Sequence, residues 1–223
     1  ENRREELNRI NAFPVPDRDT GNNLAFLMAQ LRRQLPTPNA FPDLLMRLSE
    51  ASLLSARGNS GVIFSQYFNG FRLAGLSGID LNNLPFAALA DLLEQGYTCA
   101  YHAIQQPKEG TILTAMRSLA EDFRAVSGQL VNWAEVAEGV LTRLRATVLN
   151  TVNVLPQQRA QGSPDAGAMG FLFFAEGFLR ALLCGRVEDE AAEDTRVLPE
   201  LPVGVPYHPS QEDVPYQYCT EVV

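Results

Sequence analysis

The chain has 223 residues, 46% of them hydrophobic, enough apolar material for the core of one large domain or of a domain with an appendage. No apolar run reaches the roughly 18 residues of a transmembrane helix and no cleavable signal pattern opens the chain, so a soluble protein with no transmembrane segment is expected. The formal charge of −8 is unevenly spread: residues 186–223 hold nine acids against two arginines, a net −7, which leaves residues 1–185 at −1 and without the basic stripe of a nucleic-acid binder.

From the front, apolar residues recur at helical spacing and β-branched runs are scarce. The pattern predicts a short helix before Arg9 and then a loop, Ile-Asn-Ala-Phe-Pro-Val-Pro-Asp-Arg-Asp-Thr-Gly-Asn-Asn, at 10–23. Pro14 and Pro16 hold this loop extended. In an extended stretch Asp17 and Asp19, two apart, point the same way. Two hard oxygen donors suit Mg²⁺, which takes one or two protein carboxylates and completes its shell with water and phosphate oxygens. Thr20, Gly21, Asn22 and Asn23 open a helix predicted over 21–34, whose free N–H groups face the same spot. Read alone, the loop is equally a proline-rich turn with an Asp/Thr helix cap.

Further helices are predicted at 41–55, 60–74, 84–105, 111–127, 132–152 and 165–184. Pro42 and Pro85 sit where a first turn tolerates them, Asn132 to Glu135 resembles a capping box, and Gly185 is placed as a C-terminal stop. Three more of these helices start from small, polar, Gly-containing loops: Ala-Arg-Gly-Asn-Ser-Gly at 56–61, Pro-Lys-Glu-Gly-Thr-Ile-Leu at 107–113 and Gly-Ser-Pro-Asp-Ala-Gly at 162–167. Each offers backbone N–H groups to phosphate, although plain helix-start chemistry gives the same residues. If alternate helices run up and down, the four loops gather at one end, as a site between facing helices requires. Beyond residue 185, an acidic run and five of the fourteen prolines between Val197 and Pro215 predict a solvated, extended linker toward another domain.

Other candidates for chemistry are plain. Cys99, Cys184 and Cys219 are odd in number and widely spaced, which argues against a disulfide framework or a zinc site and makes a reducing cytoplasm the default. His102 is expected as a satisfied core residue, and His208 lies in the proline-rich tail. No Ser/His/Asp set can be assembled. Trp133, Phe171, Phe173, Phe174 and Phe178 are most simply core, or equally a lipid-facing interior.

The motifs Asn-x-Phe-Pro-Val-Pro-Asp-x-Asp-Thr-Gly-x-Asn at 11–23, Ala-Arg-Gly-Asn-Ser-Gly at 56–61, Glu-Gly-Thr-Ile-Leu-Thr at 109–114 and Asp-Ala-Gly at 165–167 together resemble the nucleotide-binding domain of bacterial fatty acid kinase, of the DhaL-type dihydroxyacetone kinase superfamily. The resemblance covers roughly residues 5–185 and implies an all-α, antiparallel eight-helix barrel with an extended C-terminal tail. It divides the chain into a DhaL-like ATP/Mg-binding domain at 1–185 and a linker at 186–223. It implies ATP or ADP and two Mg²⁺ at one end, with Asp17, Asp19 and Asn11 in the metal-binding positions. Thr20, Gly21, Asn22 and Asn23 match the first phosphate-binding helix start. Gly58, Asn59 and Ser60 match the second, while Thr111, Asp165, Ala166 and Gly167 fall where the family encloses the nucleoside. Lys108 aligns loosely.

One departure stands out: the family usually places Gly between the two metal-binding acids, where this chain has Arg18. Arg18 either reaches the phosphates, joining Asp17 and Asp19 as a catalytic residue, or pairs with those carboxylates and weakens metal binding. If the turn needs positive φ there, Arg also adds strain. The absence of a general base fits a carboxylate acceptor, already ionised at neutral pH. The resemblance thus implies a fatty acid kinase whose acceptor is presented by a DegV-type fatty-acid-binding partner or fused domain, and a homodimer is compatible with it. A catalytically impaired scaffold and the nucleotide subunit of a dihydroxyacetone kinase are the alternatives.

Overall fold

A computed structural model of the chain describes residues 3–35, 41–74, 84–127 and 132–184. Among these residues there are nine α-helices and no strand. They are α1 (Arg4–Ile10), α2 (Thr20–Gln34), α3 (Phe41–Ser55), α4 (Gly58–Leu73), α5 (Phe86–His102), α6 (Ile112–Val126), α7 (Trp133–Asn150), α8 (Pro156–Gln161) and α9 (Ala166–Cys184). The all-α class and the seven long helices follow the apolar periodicity of the sequence. Gly185, the acidic run and the proline-rich strap lie outside the described residues.

The ends of the helices have local chemical causes. Thr111 and Asn132 cap α6 and α7, accepting hydrogen bonds from Leu113 N and from Ala134 N, the latter at 2.8 Å. Helix α5 ends at His102, short of the expected 105, where Ala103 N bonds Cys99 O and Ile104 N bonds Tyr101 O in a tightened last turn. Helix α7 passes into a 3₁₀ turn at Thr151–Asn153. Helix α8 was not expected, though it carries a proline in its first turn and stops on Gly162 at φ 68°. Six residues are too few to display a helical period.

Helices adjacent in sequence pack on one another from α1 to α7, and α9 contacts α1, α2, α6 and α7, which closes the circuit. Helix α6 shows the pattern that builds the core: Ile112, Met116, Leu119, Ala120 and Phe123 fall on one face and are buried. Phe64, Tyr67 and Phe68 of α4 meet Phe171 and Phe174 of α9 with ring centroids 5.3–5.9 Å apart, and Phe71 packs on Tyr67 and Phe68 within α4. Phe173, Phe174 and Phe178 pack on this core from partly exposed positions, and Trp133 stacks on Phe86 at 3.7 Å. These aromatics join α4 to α9.

Candidate functional site

The first loop is tied into its helix by Asn11. The Asn11 amide is buried and donates through Nδ2 to Val15 O at 3.1 Å and to Asp17 Oδ1 at 2.7 Å. The Thr20 hydroxyl donates to Asn11 Oδ1. Since Val15 O can only accept, the amide orientation is decided, and Asn11 presents a donor to Asp17. Partial burial and then the neighbouring Asp19 carboxylate raise the Asp17 carboxyl above its ordinary value, and the two side chains lie within hydrogen-bonding range of each other. Arg18 between them is exposed, has φ 56°, and forms no ion pair with either acid.

Asp17 and Asp19 are two hard oxygen donors of the kind Mg²⁺ takes, and two close carboxylates repel unless a proton or a cation lies between them. Among the described residues no group of three or more His, Cys, Asp or Glu side chains could hold a metal. Asn11, whose carbonyl oxygen accepts from Thr20, orients Asp17 in this arrangement.

The second loop lies directly on the first. Gly58 has φ 59°, and a Cβ there would fall 2.3 Å from Asn23 Nδ2 and 3.7 Å from Asp19 Oδ2. Only glycine allows the α4 start to approach the α2 start so closely. Two buried polar atoms at this junction have no protein partner, Asn23 Nδ2 and Ser60 Oγ. Asn59 is half-buried beside them. On the other side of α2, Asn22 N donates to Asn8 Oδ1 at 3.1 Å, and Gly21 is so close to α1 that a Cβ would meet Arg4 O at 2.0 Å.

The third and fourth loops form a second pair. Thr111 Oγ1 donates to Lys108 O at 2.8 Å, and the Glu109 carboxylate accepts from Thr114 Oγ1 at 2.7 Å and from both terminal nitrogens of Arg117 at 2.7 and 2.8 Å. Asp165 caps α9, accepting from Ala168 N and from Gln158 Nε2, each at 2.8 Å, while its own N–H donates to Thr151 Oγ1 at 2.9 Å. Burial raises its carboxyl to about 6, against the opposing pull of the Ala168 N–H, Gln158 and the N–H groups of Ile112 and Gly167. Ala166 is buried, and a Cβ on Gly167 would lie 3.2 Å from Ile112 Cβ, so the α9 and α6 starts touch.

Two contacts join the pairs. A Cβ on Gly170, one turn into α9, would fall 2.4 Å from Leu24 Cδ1, one turn into α2. Gln161 Nε2 donates to Arg9 O at 3.1 Å across 152 residues of sequence. The starts of α2, α4, α6 and α9 therefore meet at one end of the molecule.

The chain matches the family model described as DAK2 domain over residues 14–180. It belongs to the DAK2 domain family. This DAK2 domain is a kinase-related, nucleotide-binding module of the DhaL-type, dihydroxyacetone kinase superfamily. It is 33% identical over 227 residues to Protein YloV of Bacillus subtilis (strain 168), covering 97% of this chain and 40% of that protein. It is also 33% identical over 224 residues to an uncharacterized protein of Staphylococcus aureus (strain USA300), with the same coverage. The chain thus spans about two fifths of the length of the curated relatives it matches.

Several working residues of this DAK2 domain escape sequence reasoning. Asn8, Thr151 and Gln158 are contributed by α1, the 3₁₀ turn and α8, elements other than those whose groups they hold. Asn8 and Gln158 lie in the short, mostly polar helices REELNRI and PQQRAQ, where one more polar side chain gives no sequence signal. His102 does not join the core as expected. It lies exposed in the last turn of α5 beside Tyr101, with ring centroids 5.7 Å apart. No helix of the described residues is long and apolar enough to cross a membrane.

Proposed function

We propose that this domain binds ATP with Mg²⁺ and transfers the γ-phosphoryl group to the carboxylate of a fatty acid presented by a DegV-type lipid-binding partner, separate or fused. The observation that carries this reading is the junction of α2 and α4. There the paired acids Asp17 and Asp19 lie beside two buried polar atoms without partners, Asn23 Nδ2 and Ser60 Oγ. Buried polar groups cost free energy unless they are satisfied, and phosphate oxygens would satisfy both. Bound by Asp17 and Asp19, Mg²⁺ would neutralise phosphate charge at this junction.

The remaining work falls to residues of this chain. Asn11 holds the Asp17 carboxylate through a 2.7 Å hydrogen bond. Asn23, Ser60 and the first N–H groups of α4 orient the phosphates, and the Thr111 and Asp165 turns close the opposite side. One acceptor carboxylate oxygen forms a bond to the γ-phosphorus, the bond from that phosphorus to the β,γ-bridging oxygen breaks, and ADP leaves with the electron pair. The acceptor is already ionised, so no proton moves, and positioning and charge neutralisation supply the rate.

Calorimetric titration of ATP and ADP, with Mg²⁺ and with EDTA, on the chain and on Asp17→Ala tests the nucleotide part. Metal-dependent binding lost in the variant supports it, and no binding under any condition refutes it. Acyl phosphate formation with a fatty-acid-loaded DegV-type protein tests the acceptor, and phosphorylation of dihydroxyacetone with a suitable substrate subunit would favour the sugar kinase instead.

Arg18 favours a second reading, a nucleotide-binding scaffold with impaired catalysis. A bulky cation in left-handed backbone next to both acids is an unusual choice for a metal site. Under this reading Arg18→Gly raises Mg²⁺ affinity. Under the kinase reading it lowers turnover or leaves it unchanged.

A further inference from the structure

Arg57 immediately precedes Gly58 and is exposed. Its guanidinium carbon lies 3.5 Å from the centre of the Phe26 ring, a close cation–π contact. No described carboxylate pairs with it, in contrast to Arg117, Arg124, Arg143 and Arg145, which hold acids on other helices or loops. Phe26 is half-buried and three residues beyond Asn23, so ring and amide share one face of α2. Consecutive Cα atoms are about 3.8 Å apart, and the Cβ position of Gly58 is 3.7 Å from Asp19 Oδ2. The backbone of Arg57 is therefore within side-chain reach of anything bound between Asp19 and the α4 start.

We propose that Arg57 contacts the terminal phosphate of a nucleoside triphosphate at the α2–α4 junction, with the Phe26 ring as the positioning surface that keeps its guanidinium beside the site. The proposal rests on the phosphoryl-transfer reading and adds a residue to it. Asn23 Nδ2 and Ser60 Oγ are buried in the junction and suit the inner phosphates, whereas an exposed, carboxylate-free cation on the loop is free to meet the outermost one. A guanidinium stacked on an aromatic face keeps its charge and its planar fork of donors while shedding little water, which suits two oxygens of one phosphoryl group. Arg57 stays protonated throughout, and its hydrogen bonds strengthen as charge collects on those oxygens.

The test is the affinity of the full chain for a non-hydrolysable ATP analogue and for ADP, both with Mg²⁺, in Arg57→Gln, Arg57→Lys, Phe26→Leu and Asp19→Ala. Arg57→Gln is expected to weaken the analogue about tenfold or more and ADP by less than about twofold, with Tm lowered by no more than roughly 2–4 °C for the lost cation–π contact. Arg57→Lys restores part of the loss as a point charge. Phe26→Leu gives an intermediate loss in the same direction. Equal losses for both nucleotides, or no loss for either, would make Arg57 a packing residue and overturn the proposal while leaving the nucleotide site standing. If the unmodified chain binds neither nucleotide, the phosphoryl-transfer reading fails and this proposal falls with it; where the unmodified chain binds and Asp19→Ala abolishes the Mg²⁺-dependent binding, the site stands and an unchanged Arg57→Gln overturns this proposal alone.

Discussion

Gly58 and Asn23 lie in direct contact across the α2–α4 junction, with room for a hydrogen but not for a methyl group: a Cβ would come within 2.3 Å of the Asn23 amide nitrogen. Gly58→Ala is expected to cost about 1–2 kcal/mol for an L-residue in left-handed backbone, before any displacement of Asn23. In a domain of this size that lowers Tm by roughly 2–8 °C. Nucleotide binding should be lost as well. Adding Asn23→Ala should recover part of the stability and none of the binding, which differential scanning fluorimetry and calorimetry would separate.

Arg18 carries the opposite prediction, because it is the one described non-glycine residue with positive φ. Arg18→Gly is expected to relieve strain, offset in part by the greater freedom of glycine in the unfolded chain, for a net gain of up to about 1 kcal/mol. Thermal unfolding should shift upward by roughly 2–4 °C. An unchanged or lower Tm would mean that the Arg18 side chain stabilises the loop in another way.

Asp165 links stability to pH. Its folded value is raised from 3.8 to about 6, so between these two values the folded chain holds a proton that the unfolded chain has released. This contribution is fully present below the unfolded value and is lost as pH rises through about 6. Between pH 7 and pH 4 the Tm of the unmodified chain should therefore rise relative to that of Asp165→Asn, whose side chain does not titrate. A difference between the two proteins that stays flat over this window would show that Asp165 is ionised in the fold.

Thr111 caps α6 with the same hydroxyl that reaches back to Lys108 O. Thr111→Ala should cost about 1 kcal/mol, and Thr111→Ser, which keeps the hydroxyl, should cost much less. Chemical denaturation midpoints of the two variants check this. Equal losses would assign the effect to the lost methyl group instead of the cap.

The long helices were legible because each carries an uninterrupted apolar stripe, and the four site loops because glycine, proline and small polar residues break those stripes at fixed places. Helix α8 was not, being shorter than two helical turns. His102 misled because most of α5 is apolar, while its last turn emerges from the core and exposes the imidazole. At the site, the spacing of Asp17 and Asp19 suggested a shared direction. The hydrogen bond from Asn11 that orients Asp17, and the capping of Asn22 N by Asn8, depend on how α1 lies against α2.

The sequence by itself determined the all-α class, the family, the extents of most helices and the residue types gathered at their starts, since periodicity, capping and motif order are local properties of the chain. Tertiary structure decided which starts touch: Gly58 on Asn23, Gly167 on Ile112, Gly170 on Leu24, and Gln161 on Arg9 across 152 residues. Those contacts depend on how helices distant in sequence pack on one another. Burial also raises Asp165, leaves Asn23 Nδ2 and Ser60 Oγ without protein partners, and brings Arg57 to the ring of Phe26.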